Sequence, residues 1–210
     1  MTHGAVHFFA GLVIMLPAFL ISLSFHEFFH ALTATLLGDD TPRRMGRLTL
    51  NPLAHVDFLG LFFLIFFRIG WAKPVVFDQR NFSYPRLFSV LTALAGPFSN
   101  FFLALVCLYG IKYMPLAYLA PAVALSFLQI LKATAYVNIM LGVFNILPIP
   151  PLDGSHILIA FLIEKFPQAI LWMYRYSFLI LIMLFILPQT RLMLIKLIAL
   201  AEHFLKMLVI

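Results

Sequence analysis

The stretch of this sequence with the clearest chemical potential is His26-Glu27-Phe28-Phe29-His30, an H-E-x-x-H pattern inside a long apolar segment. On an α-helix, residues four apart lie about 40° from each other around the axis and one turn apart along it, so both imidazoles can reach one metal ion. Glu27 would then lie on the flank of the pair, near a water molecule. Two neutral imidazoles and one carboxylate suit zinc and leave a fourth coordination position open, as a catalytic site requires.

The same pattern also arises by chance in soluble helices, where it means two packed histidines and a solvated glutamate. Here it lies within residues 4–38, an apolar segment in which Glu27 is the one charged side chain. An ionisable residue at membrane depth is costly unless it is paired or near water, and it therefore marks a functional site by default. This context favours the metal site over the chance pattern.

A third ligand has few candidates, because the chain contains only eight acidic residues. Asp153 stands out because it follows the proline-rich break at residues 148–151, at the end of an apolar segment. Irregular backbone at membrane depth is tolerated only where it lines protein or a water-filled cavity. An alternative role for Asp153 is to cap a helix that begins near Gly154. The two roles do not exclude each other.

The composition of the whole chain requires a membrane. Of its 210 residues, 63% are apolar and 10% are charged, and the mean hydropathy is +1.04. Soluble domains average roughly 45–50% apolar and about 25% charged residues, so the excess apolar surface must face lipid. The single cysteine, Cys107, excludes a disulfide framework. The net charge of +6 does not indicate nucleic-acid binding, because the basic residues lie between apolar segments instead of forming one surface.

Three segments exceed the length of about 20 residues that a bilayer-spanning helix needs. They are residues 4–38, which we expect to be broken or kinked at Pro17, residues 87–111 and residues 116–147. A fourth span is expected at residues 168–187. The sequence leaves open whether the C-terminal stretch crosses the membrane or lies in its interface.

Shorter segments complete the expected fold. The ten apolar residues Phe58–Phe67 are too few to span, which predicts a re-entrant or interfacial segment. Residues 70–85 contain turn formers and an apolar run, which predicts a short strand or hairpin at the membrane edge. We therefore expect an all-α polytopic membrane protein with about five to six membrane-embedded helices, a re-entrant segment and a short membrane-edge β-hairpin.

Two separate motifs together resemble the site-2 protease family of intramembrane zinc metalloproteases. That family combines H-E-x-x-H with a distant N-x-x-P-x(4)-D-G, and residues 145–154 of this chain are NILPIPPLDG. Three further stretches, residues 50–55, 70–75 and 95–100, resemble segments of the small standalone prokaryotic-type members. The resemblance covers about residues 17–165.

The resemblance implies that His26, His30 and Asp153 ligate one zinc ion and that Glu27 is the general base. It also places Asn145 near the substrate or the developing oxyanion. The implied enzyme hydrolyses peptide bonds in or near transmembrane segments of membrane-protein substrates.

Asn100 and His156 are candidates for side chains that contact the metal ligands and hold them in position. His156 follows the aspartate by three residues and would either contact the site or face the loop. We expect one membrane-embedded protease domain over residues 1–210, with a catalytic core at about 17–165 and C-terminal helices at 168–210. We expect no appended regulatory domain in a chain of this length and composition.

Metal ligation also constrains topology, because residues of different spans share an ion only if they lie at the same depth. If Phe58–Phe67 dips into the membrane and returns, Asp153 comes back to the depth of His30. If that segment crosses instead, Asp153 ends on the opposite side of a core about 30 Å thick. The dip also gathers seven basic residues on one face: Arg43, Arg44, Arg47, Arg68, Lys73, Arg80 and Arg86. Because basic loops favour the inside, we expect this face to be cytoplasmic, in the inner or plasma membrane, with the zinc opening towards it.

The alternative function is a non-catalytic zinc carrier or sensor that uses the same three side chains. Such a protein needs further polar residues along a path across the bilayer, and residues 8–20 offer none. The expected partners of the protease are a transmembrane protein or peptide substrate and the lipid bilayer, with no nucleic acid.

Overall fold

The computed structural model describes residues 2–67, 70–115 and 118–209. The described part is built from helices and connecting loops, with one 3₁₀ turn at Gln79–Asn81. The helices are α1 (Thr2–Leu36), α2 (Thr41–Arg44), α3 (Pro52–His55), α4 (Phe58–Phe67), α5 (Pro85–Tyr113), α6 (Pro121–Asn145), α7 (Ser155–Leu162), α8 (Pro167–Arg175), α9 (Ser177–Ile186) and α10 (Pro188–Met207).

Helices α1, α5 and α6 pack against one another and form the centre of the molecule. The stretches Gly11–Leu36, Pro85–Tyr113 and Pro121–Asn145 are each long and apolar enough to cross a membrane, and α8 with α9 adds a fourth span if the bent pair counts as one. The chain is therefore an integral membrane protein of helices. Within the described residues this gives three to four candidate spans, and the expected number of five to six membrane-embedded helices is not confirmed.

The first span is not broken at Pro17. Helix α1 continues through this proline without a break. Proline removes one backbone N–H, and in a membrane helix neighbouring helices and local adjustments can satisfy the freed carbonyl. The continuous helix carries the H-E-x-x-H pattern.

Small and polar side chains fill the contacts between the three central helices. Ala18, Ser22 and Ala31 of α1 are buried, as are Ala104 of α5 and Ala135 of α6. Lipid tails are as apolar as leucine, so helices in a bilayer associate through close packing and interhelical hydrogen bonds. The buried interior accordingly contains polar side chains, among them Ser22, Asn100 and Asn138, beside the small apolar ones.

The C-terminal helices pack on this centre from one side. Helix α10 contacts α5, α6 and α9. Near its end, the Tyr109 hydroxyl donates to the carbonyl of Leu208 at 3.0 Å, and the Lys112 ammonium donates to the carbonyl of Val209. The sequence left the course of the C-terminal stretch open. In the structure its last residues lie beside the C-terminal end of α5.

The span expected at residues 168–187 is not one straight helix, because α8 and α9 meet at Tyr176 with a bend of 62°. Helix α8 carries Arg175 and exposed aromatic residues such as Trp172, which suit the membrane–water interface. Helix α9 is apolar after its first residue. The two halves therefore favour different depths, which is consistent with the bend.

The structure describes all of residues 70–85, and the β-hairpin predicted there is wrong. The β contact made there is an isolated antiparallel bridge between Ala72 and Val56. Beside it, the backbone N–H of Lys73 donates to the carbonyl of His55 at 2.8 Å. The segment is extended, but its partner is the loop before α4 and not a second strand.

Backbone donors of the extended segment are used by side chains of α1 and of the loop after it. Pro74 has no N–H. The N–H of Val75 donates to the Glu27 carboxylate at 2.9 Å, and that of Asp78 donates to the Asp39 carboxylate at 2.7 Å. Because side chains hold these donors, a regular ladder does not form.

Asp39 anchors this segment to the end of α1. Its buried carboxylate accepts hydrogen bonds from the backbone and hydroxyl of Thr41, the amide of Asn81 and the backbone of Asp78. Burial acts to raise the pKa of Asp39, but these hydrogen bonds outweigh it and hold the pKa below its usual value. Asp39 is therefore charged at neutral pH and fixes the position of the segment that reaches Glu27.

The chain before helix α4 and the chain after it lie side by side. The bridge between Val56 and Ala72 joins the two ends of this excursion. The ring of Trp71 lies 5.4 Å from that of Phe63, so the returning chain runs back along the helix. A segment whose two ends meet makes no net crossing of a bilayer.

This geometry predicts that residues before and after α4 lie on the same side of the membrane. In a Cys107→Ser background, Met45→Cys and Arg80→Cys should react alike with a membrane-impermeant thiol reagent, from the same side of the membrane. Tyr113→Cys at the far end of α5 is the control and should react from the opposite side. Reaction of positions 45 and 80 from opposite sides would show that α4 crosses.

Candidate metal centre

The structure brings His26, His30 and Asp153 together. The two histidines lie one turn apart on α1, and Asp153 comes from the loop between α6 and α7. The Nε2 atoms of the histidines are 2.9 Å apart, and Asp153 Oδ2 lies 3.1 Å from Nε2 of His26 and 3.4 Å from Nε2 of His30. In the described part of the chain these three form a group whose ligand atoms all lie within 4.8 Å of one another.

Hydrogen bonds behind the two rings determine which nitrogen carries the proton. Nδ1 of His26 lies 2.6 Å from the amide oxygen of Asn100, and Nδ1 of His30 lies 2.7 Å from the backbone carbonyl of Thr92. Both oxygens are acceptors, so each Nδ1 donates its proton. A neutral imidazole has a single N–H, and both Nε2 atoms therefore present lone pairs towards Asp153.

These donors fit a zinc ion. Asp153 Oδ2 is buried and accepts no hydrogen bond within the described structure. Two nitrogen lone pairs and a carboxylate oxygen that converge in a buried place repel one another unless a cation lies between them. Two imidazoles and one carboxylate form a common ligand set of catalytic zinc, with one coordination position left for water or substrate.

Asp153 is held at this depth by the end of α6. The backbone N–H of Gly154 donates to the carbonyl of Asn145 at 2.7 Å. A Cβ on Gly154 would overlap the carbonyl of Ile146, so only glycine permits this contact. Helix α7 has Gly154 at its N-cap without a side-chain hydrogen bond, so the alternative role of Asp153 as a helix cap is not observed.

Gly96 lets α5 approach the two rings. A Cβ at this position would lie 2.5 Å from Cε1 of His30 and 2.6 Å from Cε1 of His26. These distances are well below van der Waals contact, and hydrogen bonds hold both rings in place. In the sequence Gly96 stands out only as a glycine followed by Pro97 inside a helix, and that pair is the signal by which this position could have been found.

Glu27 is buried beside the pair, with 6% of its surface exposed. Its Oε2 accepts the Val75 N–H at 2.9 Å, which ties the carboxylate to the extended segment. This contact could not be predicted from the sequence, because every residue type except proline carries the same backbone donor.

The other candidate residues take different positions. Asn100 contacts His26 directly. The half-buried amide of Asn145 donates to the carbonyl of Leu141 in its own helix. The ring of His156 lies 5.7 Å from that of Phe77, on the side of the extended segment.

Comparisons with known proteins place the chain in one peptidase family. Residues 111–186 match the model for peptidase family M50, a range that includes Asp153 but not the H-E-x-x-H pattern. "Putative zinc metalloprotease YwhC" of Bacillus subtilis is 36% identical over 172 residues, which are 80% of this chain and 78% of the relative. "Putative zinc metalloprotease Rip2" of Mycolicibacterium smegmatis is 36% identical over 186 residues, 84% of this chain and 68% of the relative.

The Rip2 of Mycobacterium tuberculosis strain H37Rv is 34% identical over 188 residues, covering 86% of this chain and 70% of that protein. No solved structure is significantly similar to the chain. The extent of these matches shows that the chain belongs to peptidase family M50, the site-2 protease family of zinc metalloproteases. Its cofactor is zinc, and the ligand set described above fits that ion.

The close approach of α5 yields a prediction. Gly96→Ala should displace the imidazoles, cost roughly 1–3 kcal/mol by overpacking and lower zinc content. Gly110→Ala on the same helix is the matched control, because its Cβ would meet the nearest atom at an ordinary 3.5 Å. Metal analysis and thermal unfolding of both variants measure the two effects. Wild-type zinc content in Gly96→Ala would show that the approach of α5 does not position the ligands.

Proposed function

We propose that this protein is an intramembrane endopeptidase that cleaves peptide bonds in or near transmembrane segments of membrane proteins. The observation that carries the proposal is the depth of the metal centre. His26 and His30 lie in the interior of Gly11–Leu36, a segment long and apolar enough to span the membrane. A peptide bond that reaches these ligands must come from a chain that is itself within or beside the bilayer.

Zinc held by these three ligands would lower the pKa of a water molecule and polarise the substrate carbonyl. Glu27 then acts through its carboxylate oxygens as general base. It removes a proton from the attacking water, whose oxygen bonds to the carbonyl carbon, and delivers that proton to the nitrogen as the C–N bond breaks. The Val75 N–H orients Glu27 for both transfers.

The substrate must be extended at the cleaved bond, because the carbonyls of a helix are occupied by its own hydrogen bonds. Residues 73–77 supply an extended segment beside Glu27, and the side chain of Val76 is 53% exposed. We propose that an unwound substrate strand binds along this segment by strand addition. The proposed catalytic core, residues 17–165, contains the three ligands, Glu27 and this segment.

The proposed orientation places the opening of the site towards the cytoplasm. Arg43, Arg44 and Lys73 belong to the loops on the side where α1 ends, and basic loop residues favour the cytoplasmic side. The structure adds support because the ends of the α4 excursion meet, which keeps the loops before and after it on one face. Arg68, which we also expected on this face, lies outside the described residues.

The ligand assignment predicts the outcome of metal analysis. His26→Ala removes one of three ligands and should lower the zinc content of the purified protein by at least about tenfold. His203→Ala, which removes an exposed imidazole of α10, should retain the wild-type content. Equal zinc in His26→Ala and His203→Ala would contradict the assignment.

The role of Glu27 predicts a separation of binding from turnover. Glu27→Gln keeps an oxygen that can accept the Val75 N–H but has no base, so zinc should stay bound while cleavage of a single-span substrate falls by on the order of 10²–10⁴. Full activity would refute the mechanism, and loss of metal would make Glu27 a ligand. A zinc carrier or sensor would show no cleavage in the wild type either.

A further inference from the structure

Three buried polar side chains form a hydrogen-bonded chain behind His26, one from each central helix. They are Ser22 of α1, Asn100 of α5 and Asn138 of α6, and each is fully buried. The proposed mechanism uses none of them as ligand, acid or base. Buried polar groups at the centre of a membrane protein are costly unless hydrogen bonds satisfy them.

The direction of every hydrogen bond in this chain is determined, beginning at Ser22. Its hydroxyl lies 2.6 Å from the carbonyl of Ala18, so its single proton is donated there. The atom of Asn138 that lies 2.7 Å from the Ser22 hydroxyl must therefore be a donor. The same atom lies 2.8 Å from the carbonyl of Thr134, which confirms that it is nitrogen.

The orientation of Asn138 determines that of Asn100. With its nitrogen turned to Ser22, Asn138 presents its oxygen to Asn100, whose nitrogen donates to it at 2.7 Å. That nitrogen also donates to the backbone carbonyl of Ser22 at 3.2 Å. The oxygen of Asn100 is thus left facing Nδ1 of His26 at 2.6 Å.

We propose that Ser22 and Asn138 are positioning residues that set the tautomer of His26 through Asn100. If the Asn100 amide turned over, its nitrogen would face His26, Nδ1 would become the acceptor, and the proton would move to Nε2. A protonated Nε2 cannot ligate a metal. The chain from Ala18 to Asn100 therefore keeps the Nε2 lone pair of His26 aimed at the metal.

The inference rests on His26 being a zinc ligand, as proposed above. It predicts a graded loss of zinc affinity that weakens with distance from the ring. Asn100→Leu removes the direct partner of His26 and should lower the affinity by about 10–100-fold, the usual range for partners of metal ligands. Asn138→Leu acts one bond further away and should lower it less, by about tenfold. Ser22→Ala should have a smaller effect, because Asn138 still donates to the carbonyl of Thr134.

Ser24 offers a matched control for Ser22. It lies two residues further along α1, is also buried, and also donates to the carbonyl four residues before it at 2.6 Å. Its hydrogen bond to the carbonyl of Leu20 does not connect it to Asn138, Asn100 or His26. Ser24→Ala should therefore leave zinc affinity at the wild-type value, although it loses the same kind of bond.

The experiment measures zinc affinity by competition with a chelator, thermal unfolding of the metal-free protein, and ¹⁵N chemical shifts of His26 in histidine-labelled metal-free protein. In the wild type, the hydrogen bond to the Asn100 oxygen should keep Nδ1 of His26 protonated. Asn138→Leu should populate the other tautomer and lose zinc affinity, and Ser24→Ala should do neither.

A purely structural role for Asn138 would give a different result. The metal-free Asn138→Leu protein would then unfold at lower temperature, while the His26 shifts and the zinc affinity of the folded protein stayed at wild-type values, and this would overturn the proposal. If Asn138→Leu does not fold, Ser22→Ala against Ser24→Ala decides the question by the same shifts and affinities. Wild-type zinc affinity in His26→Ala would instead refute the ligand assignment itself.

Discussion

The convergence of two imidazole lone pairs and one carboxylate oxygen at membrane depth is the constraint on which the rest of the structure depends. These atoms lie between 2.9 and 3.4 Å apart in a buried place, where their mutual repulsion is poorly screened. A zinc ion between the three atoms would offset this repulsion, provided that all three atoms are held at ligand distance from it. Helices α1, α5 and α6 and the loop carrying Asp153 must therefore meet with little freedom, and Gly96 and Gly154 allow that close contact.

The surrounding bilayer explains why the central helices are joined by polar contacts. Apolar surface gives little driving force for association between helices already in lipid, so close packing and hydrogen bonds must supply it. The hydrogen bonds among Ser22, Asn100 and Asn138 join all three central helices. The same bonds end at His26. The contacts that join the helices thus also reach the imidazole of His26.

The extended segment illustrates how the site governs local structure. Its apolar run favoured a strand from residue type alone, yet the N–H of Val75 is taken by Glu27 and that of Asp78 by Asp39. A hairpin was therefore the wrong prediction, because strand propensity does not reveal which donors a distant carboxylate will occupy. The bend between α8 and α9 was missed for a similar reason, since a hydropathy pattern gives apolar length and not direction.

The sequence by itself determined the membrane class, the three long helices, the metal-binding pattern on α1 and the candidate third ligand. These follow from composition, from helical periodicity and from the scarcity of acidic residues, all of which are local or summed properties of the chain. Tertiary structure alone decided that Asp153 meets both imidazoles, that Thr92 and Asn100 set their tautomers, and that Val75 holds Glu27. The physical reason is that hydrogen bonds and metal ligation depend on direction and distances of a few ångströms between helices far apart in sequence.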